Sequence, residues 1–63
     1  MKLANLTPEM LRIYTIIRAN AYGISGKEIS DITGIDARTR MRILRRLKSE
    51  GLIYRATSDA KYS

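Results

Sequence analysis

Six of the twelve Lys and Arg residues in this 63-residue chain fall within eleven positions, inside the segment DARTRMRILRRLKSEGL from Asp36 to Leu52. A guanidinium group can donate two parallel hydrogen bonds to a phosphate or to the edge of a guanine base. The cluster is therefore a candidate surface for a polyanion. A charged helix face exposed only to water is the commoner explanation of such a run, and the spacing of the residues has to separate the two.

Helical spacing divides this segment into two faces. Taking 100° per residue, Ala37, Met41, Leu44 and Leu47 form a predicted buried arc with Ile43 at its edge. The opposite face carries no carboxylate and consists of Arg38, Thr39, Arg42, Arg45, Arg46 and Ser49. Like charges four residues apart repel, as Arg42 does with both Arg38 and Arg46, unless an anion lies against them. The spacing favours a surface that binds phosphates.

Arg40 does not fit this division, because it falls between Leu44 and Leu47 on the predicted buried side. Two explanations are open. Its aliphatic stem could lie along the edge of the core with the guanidinium in water, or the guanidinium could reach Glu50, Asp36 or another acidic group. We expect a structural role for Arg40 rather than a contact with the polyanion.

Local signals predict three helices. Thr7 is a suitable N-cap before Pro8, and the apolar repeat that follows predicts a first helix over about 8–21. Ser25 and Glu28 have the spacing of a capping box, which predicts a second helix over about 26–33.

The second helix should direct Ile29 and Ile32 inward and end at Gly34, which can adopt the left-handed conformation. Asp36 then acts as the N-cap of a third helix over about 37–50, which ends before Gly51.

The C-terminal region has the composition of a β-hairpin, over about 52–63. Leu52 to Arg55 is strand-like, Ala56 to Asp59 is turn-like, and Ala60 to Ser63 can return antiparallel. A two-stranded ribbon is marginal alone, so it should pack on the helices, with Ile24 as a possible third strand. The predicted fold is a single domain, residues 1–63, mainly α with a small β-hairpin (α+β).

The composition of the chain limits the functions that we expect of it. The chain has no His and no Cys, and its acidic residues are used as caps or stand singly, so we expect no enzyme, metal site or cofactor. A net charge of +6 indicates a polyanionic partner. A membrane surface is the weaker candidate, because the apolar face of the third helix is needed for the core. No apolar run could span a bilayer, so we expect a soluble protein inside the cell.

Two stretches carry a resemblance to a known family. Gly26-Lys27-Glu28-Ile29-Ser30-Asp31-Ile32-Thr33-Gly34-Ile35-Asp36 and Leu47-Lys48-Ser49-Glu50-Gly51-Leu52-Ile53 resemble segments of winged helix-turn-helix regulators of the multiple-antibiotic-resistance type. The resemblance extends from Thr7 to Lys61. It implies a three-helix winged helix-turn-helix domain whose third helix enters the major groove of DNA. In such regulators the position of Arg40 is commonly aliphatic.

The resemblance implies roles for the basic residues. Arg38, Thr39 and Arg42 are expected to read bases, with Arg42 the strongest candidate for a guanine. The residues expected to hold phosphates are Lys27, Arg45, Arg46, Ser49, Arg55 and Lys61. The predicted wing turn lacks an arginine and contains Asp59, so the flanking strands supply its cations.

The expected function is sequence-specific binding of double-stranded DNA by a transcriptional regulator, most simply a repressor. The alternatives are a nonspecific or replication-associated DNA-binding protein and a winged-helix module that binds protein. Clustering of Tyr14, Tyr22, Tyr54 and Tyr62 in one exposed patch would indicate the last of these.

The quaternary structure and origin are open. Leu3, Leu11 and Ile16 lie off the main apolar stripe, and they either form a homodimer interface or are ordinary exposed aliphatic residues. The short chain suggests a virus, phage or plasmid, acting in the nucleoid region of the cytoplasm or in that of a host. It could also be a fragment of a longer protein.

Overall fold

The computed structural model describes residues 6–20, 22–55 and 61–63. It contains three helices and a small antiparallel sheet, which confirms the predicted fold class. The elements in chain order are α1 (Pro8–Ala19), β1 (Ile24–Ser25), α2 (Gly26–Thr33), α3 (Ala37–Ser49) and β2 (Lys61–Tyr62). Within the described residues, no helix has the length and apolar character needed to cross a membrane.

The predicted caps define the starts of the three helices. Thr7 accepts a hydrogen bond from the backbone N–H of Met10 and precedes Pro8 in the first turn of α1. Ser25 and Glu28 form both hydrogen bonds of a capping box at α2. At α3, the Asp36 carboxylate accepts from the N–H of Thr39. Each of these contacts joins residues within one turn, which is why the local sequence predicted them.

The helix ends differ slightly from the prediction. α1 ends at Ala19 with Asn20 as its C-cap, two residues before the predicted boundary. α2 ends at Thr33, and its C-cap Gly34 has a φ of 76°, the left-handed conformation that glycine adopts without strain. α3 ends at Ser49, with Glu50 as the C-cap.

The core consists of aliphatic side chains from every helix, from β1 and from the segment that precedes Arg55. The buried residues are Ile13, Ile17, Ile24, Ile29, Ile43, Leu44, Leu47 and Ile53. Tyr62 and Leu52 pack against this cluster, as does Ile35 in the turn between α2 and α3. The sheet is thereby held against the helices, which a short ribbon requires.

The wing consists of three adjacent extended segments. β1 pairs antiparallel with β2 in the register Ile24 to Tyr62 and Ser25 to Lys61. On the other side of β2, Arg55 forms an antiparallel bridge with Tyr62, and Tyr54 exchanges both backbone hydrogen bonds with Ser63. The antiparallel return and the participation of Ile24 are confirmed, whereas the predicted strand from Leu52 to Arg55 is reduced to the bridge at Arg55 and the Tyr54 hydrogen bonds. The predicted turn falls within residues 56–60, outside the described residues.

Three apolar residues predicted to be buried are exposed: Ala37, Met41 and Ile32. Ala37 and Met41 are exposed, with Met41 at 55%, whereas Ile43 is buried, so the predicted buried arc of α3 was wrong on one side. The helix is rotated so that Ile43 contacts the core beside α1. Ile32 is 56% exposed, because Ile29 alone occupies the inner position of α2 and Ile32 lies against Leu11 and Ile16 at the surface.

Candidate nucleic-acid interface

The outer face of α3 presents five of its predicted site residues to solvent. They are Arg38, Arg42, Arg45, Arg46 and Ser49. Burial of Ile43, Leu44 and Leu47 on the opposite side sets this orientation. Thr39 is half-buried, because its position in the first turn brings it against the Asp36 cap. The face forms a row of guanidinium groups suited to a polyanion.

Two adjoining pockets between α3 and the wing form a cationic cleft, here called the wing-side cleft. It is lined by the cations Lys27, Arg40, Arg45, Lys48 and Arg55, together with Met41 and Tyr62. The five cations come from α2, α3 and the wing, and among the described residues no acidic side chain lines either pocket. Such a concentration of positive charge in a concave surface attracts phosphate groups.

The cleft has an aromatic floor that places one of its cations. The guanidinium carbon of Arg55 lies 5.9 Å from the ring centroid of Tyr62, at the outer limit of a cation–π contact. Tyr62 is in turn fixed by β2 pairing on both sides. Arg55 is therefore held over the wing while its side chain remains exposed.

The other side of α3, here called the helix-1 side, has a different character. Arg42 and Arg46 lie beside the first turn of α1, in a pocket that also includes Glu9. The Nε atom of Arg46 lies 3.3 Å from the Oε1 atom of Glu50 in an ion pair. The positive charge on this side is therefore partly neutralised within the protein.

The remaining predicted phosphate residues occupy the margins. Lys27 is exposed at the start of α2, beside the Ser25 cap, and Lys61 lies in β2 and is half-buried. The Ser49 hydroxyl donates to the carbonyl oxygen of Arg46 at 2.9 Å. The structure thus brings Lys27, Arg45 and Arg55 around one cleft and leaves Arg46 and Ser49 in local contacts.

Lys48 is a cation of the cleft that the sequence pattern did not predict. On the helical projection it lies close to Leu44, away from the cationic face. With α3 rotated toward Ile43, Lys48 joins Arg45 and Arg55 at the cleft. Its position three residues after Arg45 was the signal available in the sequence.

Two carboxyl groups near the interface have lowered pKa values because they act as caps. The backbone N–H and then the hydroxyl of Ser25 stabilise the carboxylate of Glu28 and lower its pKa. Hydrogen bonding by the side chain and then the backbone N–H of Thr39 lowers the pKa of Asp36. Both groups are held in their charged form at the N-termini of helices, where negative charge is favoured.

Arg40 lies between the helices and not in the row on the outer face. Its side chain is half-buried, and its Nη1 atom donates to the Ser30 hydroxyl at 2.9 Å. Of the two open explanations, neither an acidic partner nor a guanidinium free in water matches these contacts, because the side chain reaches a hydroxyl of α2 and its Nε atom is buried. The prediction of a structural position for this residue agrees with the contact.

The four tyrosines do not form a single exposed patch. Tyr14 and Tyr62 pack against the core, whereas Tyr22 and Tyr54 are exposed.

Of the residues considered for a dimer, Leu11 is 43% exposed, Ile16 is half-buried, and Leu3 lies outside the described residues. Leu11 and Ile16 line a shallow apolar groove with Ile32.

Comparison with known proteins identifies the family. Residues 10–54 match the family model described as winged helix-turn-helix DNA-binding. No curated protein and no solved structure gives a significant match. The matched residues include most of α1, all of α2 and α3, and the start of the wing. They make up more than half of the chain, which therefore belongs to the winged helix-turn-helix DNA-binding family.

Proposed function

We propose that this DNA-binding domain is a sequence-specific transcriptional regulator, acting as a repressor with α3 in the major groove. Family membership supports contact with DNA. The observation that carries the proposal is the exposed arginine face of α3, continuous with a cleft lined by cations from α2 and the wing. Such a protein acts inside the cell, at the genome of the cell or of a host.

The roles of the site residues follow from their positions. In helix-turn-helix docking, the N-terminal half of the recognition helix meets base edges, which assigns base reading to Arg38, Thr39 and Arg42. Arg38 and Arg42 are exposed there, and Thr39 has its hydroxyl near the Asp36 cap. Contacts with phosphates would fix the register of the protein without reading sequence. We assign them to Lys27, Arg45, Arg46, Ser49, Arg55 and Lys61.

A homodimer would give this small domain a longer site. A single module buries only about 600–1,000 Å² on DNA. We propose that Leu11 and Ile16 form the interface, together with Leu3 and with Ile32, which shares their apolar groove. A two-fold dimer requires two inverted half-sites.

Selection from a randomised duplex library at two salt concentrations tests the function. A narrow motif that persists at the higher salt supports the regulator, and inverted halves within it support the dimer. Enrichment of no motif, with affinity collapsing as salt rises, indicates nonspecific electrostatic binding instead. Absence of binding at low salt contradicts the DNA proposal and indicates a protein partner.

Substitution of Arg42 tests the assignment of base reading. Arg42→Ala should cost about 1–3 kcal/mol on the preferred site and much less on a random duplex, because a bidentate contact with guanine discriminates between bases. Arg45→Ala is the matched control and should weaken both duplexes equally. Competition titrations at constant salt measure, for each variant, the ratio of its affinity for the preferred duplex to its affinity for a random duplex. An equal loss on both duplexes for Arg42→Ala would contradict its role.

A further inference from the structure

Arg40 connects the two helices of the helix-turn-helix. It projects from α3, and its Nη1 atom donates to the Ser30 hydroxyl of α2 at 2.9 Å. Its Nε atom is fully buried and has no hydrogen-bond partner among the described residues. The guanidinium therefore lies in the contact between the helices with only part of its donor capacity satisfied by them.

Gly26 provides the space for this contact. A Cβ atom at Gly26 would lie 3.0 Å from Nε and 3.2 Å from Cζ of Arg40, closer than side chains normally approach. Gly26 and Ser30 are four residues apart and lie on the same face of α2. The guanidinium plane thus lies along the first turns of α2, against the backbone at one end and a hydroxyl at the other.

This arrangement is poorly explained by stability alone. A buried donor without a partner is unfavourable, and a cation near the N-terminus of a helix opposes the helix dipole. Buried charged groups are often replaced by apolar residues of similar volume with no loss of stability. The contact has a clearer consequence for geometry, because it fixes the position of α2 relative to α3.

We propose that Arg40 is a positioning residue for DNA recognition. By holding α2 against α3, it sets the separation between Lys27 and the arginines of α3, which have to meet the same duplex at once. This inference rests on the proposed function. Arg40 also lines the wing-side cleft beside Lys27 and Arg55, so direct contact with a phosphate is the competing role that the experiment has to separate.

The test is the salt dependence of DNA affinity for Arg40→Met and Gly26→Ala. Both variants should remain folded in thermal melts, with the Met variant at or above the wild-type Tm. Both should lose about tenfold in affinity for the preferred duplex, which is the lower end of the loss found when a residue that orients a metal ligand is removed. The slope of log affinity against log salt should stay unchanged, because every phosphate keeps its cation.

The alternatives give distinct results. A slope reduced by about 0.9 in Arg40→Met would show that Arg40 itself neutralises a phosphate and would overturn the positioning role. Affinity equal to that of the wild type would overturn it as well. Failure of the proposed function would appear in the wild type, as an absence of binding to any duplex. Failure of this inference alone would appear only in the variants, with the wild type still binding its preferred duplex.

Two controls separate the effect of the Arg40 contact from the effect of losing one positive charge. Arg18→Met removes the same charge from the exposed last turn of α1, away from the proposed DNA and dimer surfaces, and should leave the preferred-to-random affinity ratio unchanged. The double variant Gly26→Ala with Arg40→Met should lose no more affinity than Arg40→Met alone, because both changes disrupt one contact. Additive losses would overturn the shared mechanism. Should Arg40→Met fail to fold, Gly26→Ala carries the same comparison.

A measurement without DNA tests the contact itself. The Nε–H of Arg40 should exchange with solvent more slowly than that of exposed Arg12, and Ser30→Ala should abolish the difference. Side-chain NMR resolves the two signals. Equal exchange rates in the wild type would overturn the bridge and with it the inference.

Discussion

On the wing side of α3, Arg45 and Lys48 face Arg55 across a cleft that no acidic side chain lines among the described residues. On the helix-1 side, Arg46 is paired with Glu50, and its pocket includes Glu9. The same helix thus offers the same residue type in two electrostatic environments. The two sides of α3 differ in their neighbouring carboxylates, and these carboxylates, not the number of arginines, determine which cations are available to an anion.

The largest effect is expected from removing two cations on the wing side. Arg45→Ala combined with Arg55→Ala should lower affinity for every duplex and reduce the salt slope by about 0.9 for each phosphate that is no longer neutralised. Arg46→Ala is the matched control and should have a smaller effect, because Glu50 already pairs with that guanidinium. Titrations over a range of salt concentrations measure the slopes. If Arg46→Ala reduced the salt slope as much as the loss of Arg45 or of Arg55 does, the Arg46–Glu50 ion pair would have to open on binding.

A smaller effect is expected from removing the carboxylate that pairs with Arg46. Glu50→Gln should raise DNA affinity at low salt and increase the salt slope by at most about 0.9, because Arg46 becomes available to a phosphate. Asp31→Asn removes the same charge from the exposed surface of α2 and serves as the control. If both variants gained affinity equally, net charge and not the ion pair would explain the difference between the two sides.

The smallest effect concerns carboxylates that act as caps beside the interface. The folded-state pKa of Asp36 is lowered, so its contribution to stability is present above the ordinary carboxyl pKa and is lost as the pH falls through the lowered value. Asp36→Asn keeps a capping side chain that does not titrate. Thermal melts from neutral to acidic pH should therefore show a weaker pH dependence for this variant. An unchanged pH dependence would mean that the Asp36 cap does not contribute.

The sequence was sufficient for features that depend on one turn of the chain. The Thr7, Ser25 and Asp36 caps join residues three positions apart, and their types admit few other structures. The wing was predictable for a related reason, because the strand-like residues after Gly51 lead into a turn-like segment.

The rotation of α3 could not be predicted in the same way. Its aliphatic residues span a wide arc, and either Met41 or Ile43 could have completed the buried face. The contacts of Ile43 beside α1 and of Arg40 with Ser30 decide between them. These contacts join residues from different elements, so the local pattern does not contain them.

The site was predictable in composition but not in grouping. The arginine face of α3 followed from spacing alone. The meeting of Lys27, Arg45 and Arg55 around Tyr62 depends on how the wing folds over the helices. The pairing of Arg46 with Glu50 was not predicted, because the helical projection made Arg40 the arginine in need of an acidic partner.

Ser25 belongs to two parts of the fold at once. It is the N-cap of α2, and it also pairs with Lys61 in the sheet. Loss of the wing pairing would therefore loosen the start of α2, and loss of the cap would release the strand that anchors the wing. Ser25 thus adds to the core packing a direct backbone connection between the wing and the helix-turn-helix, so we expect the two to open together.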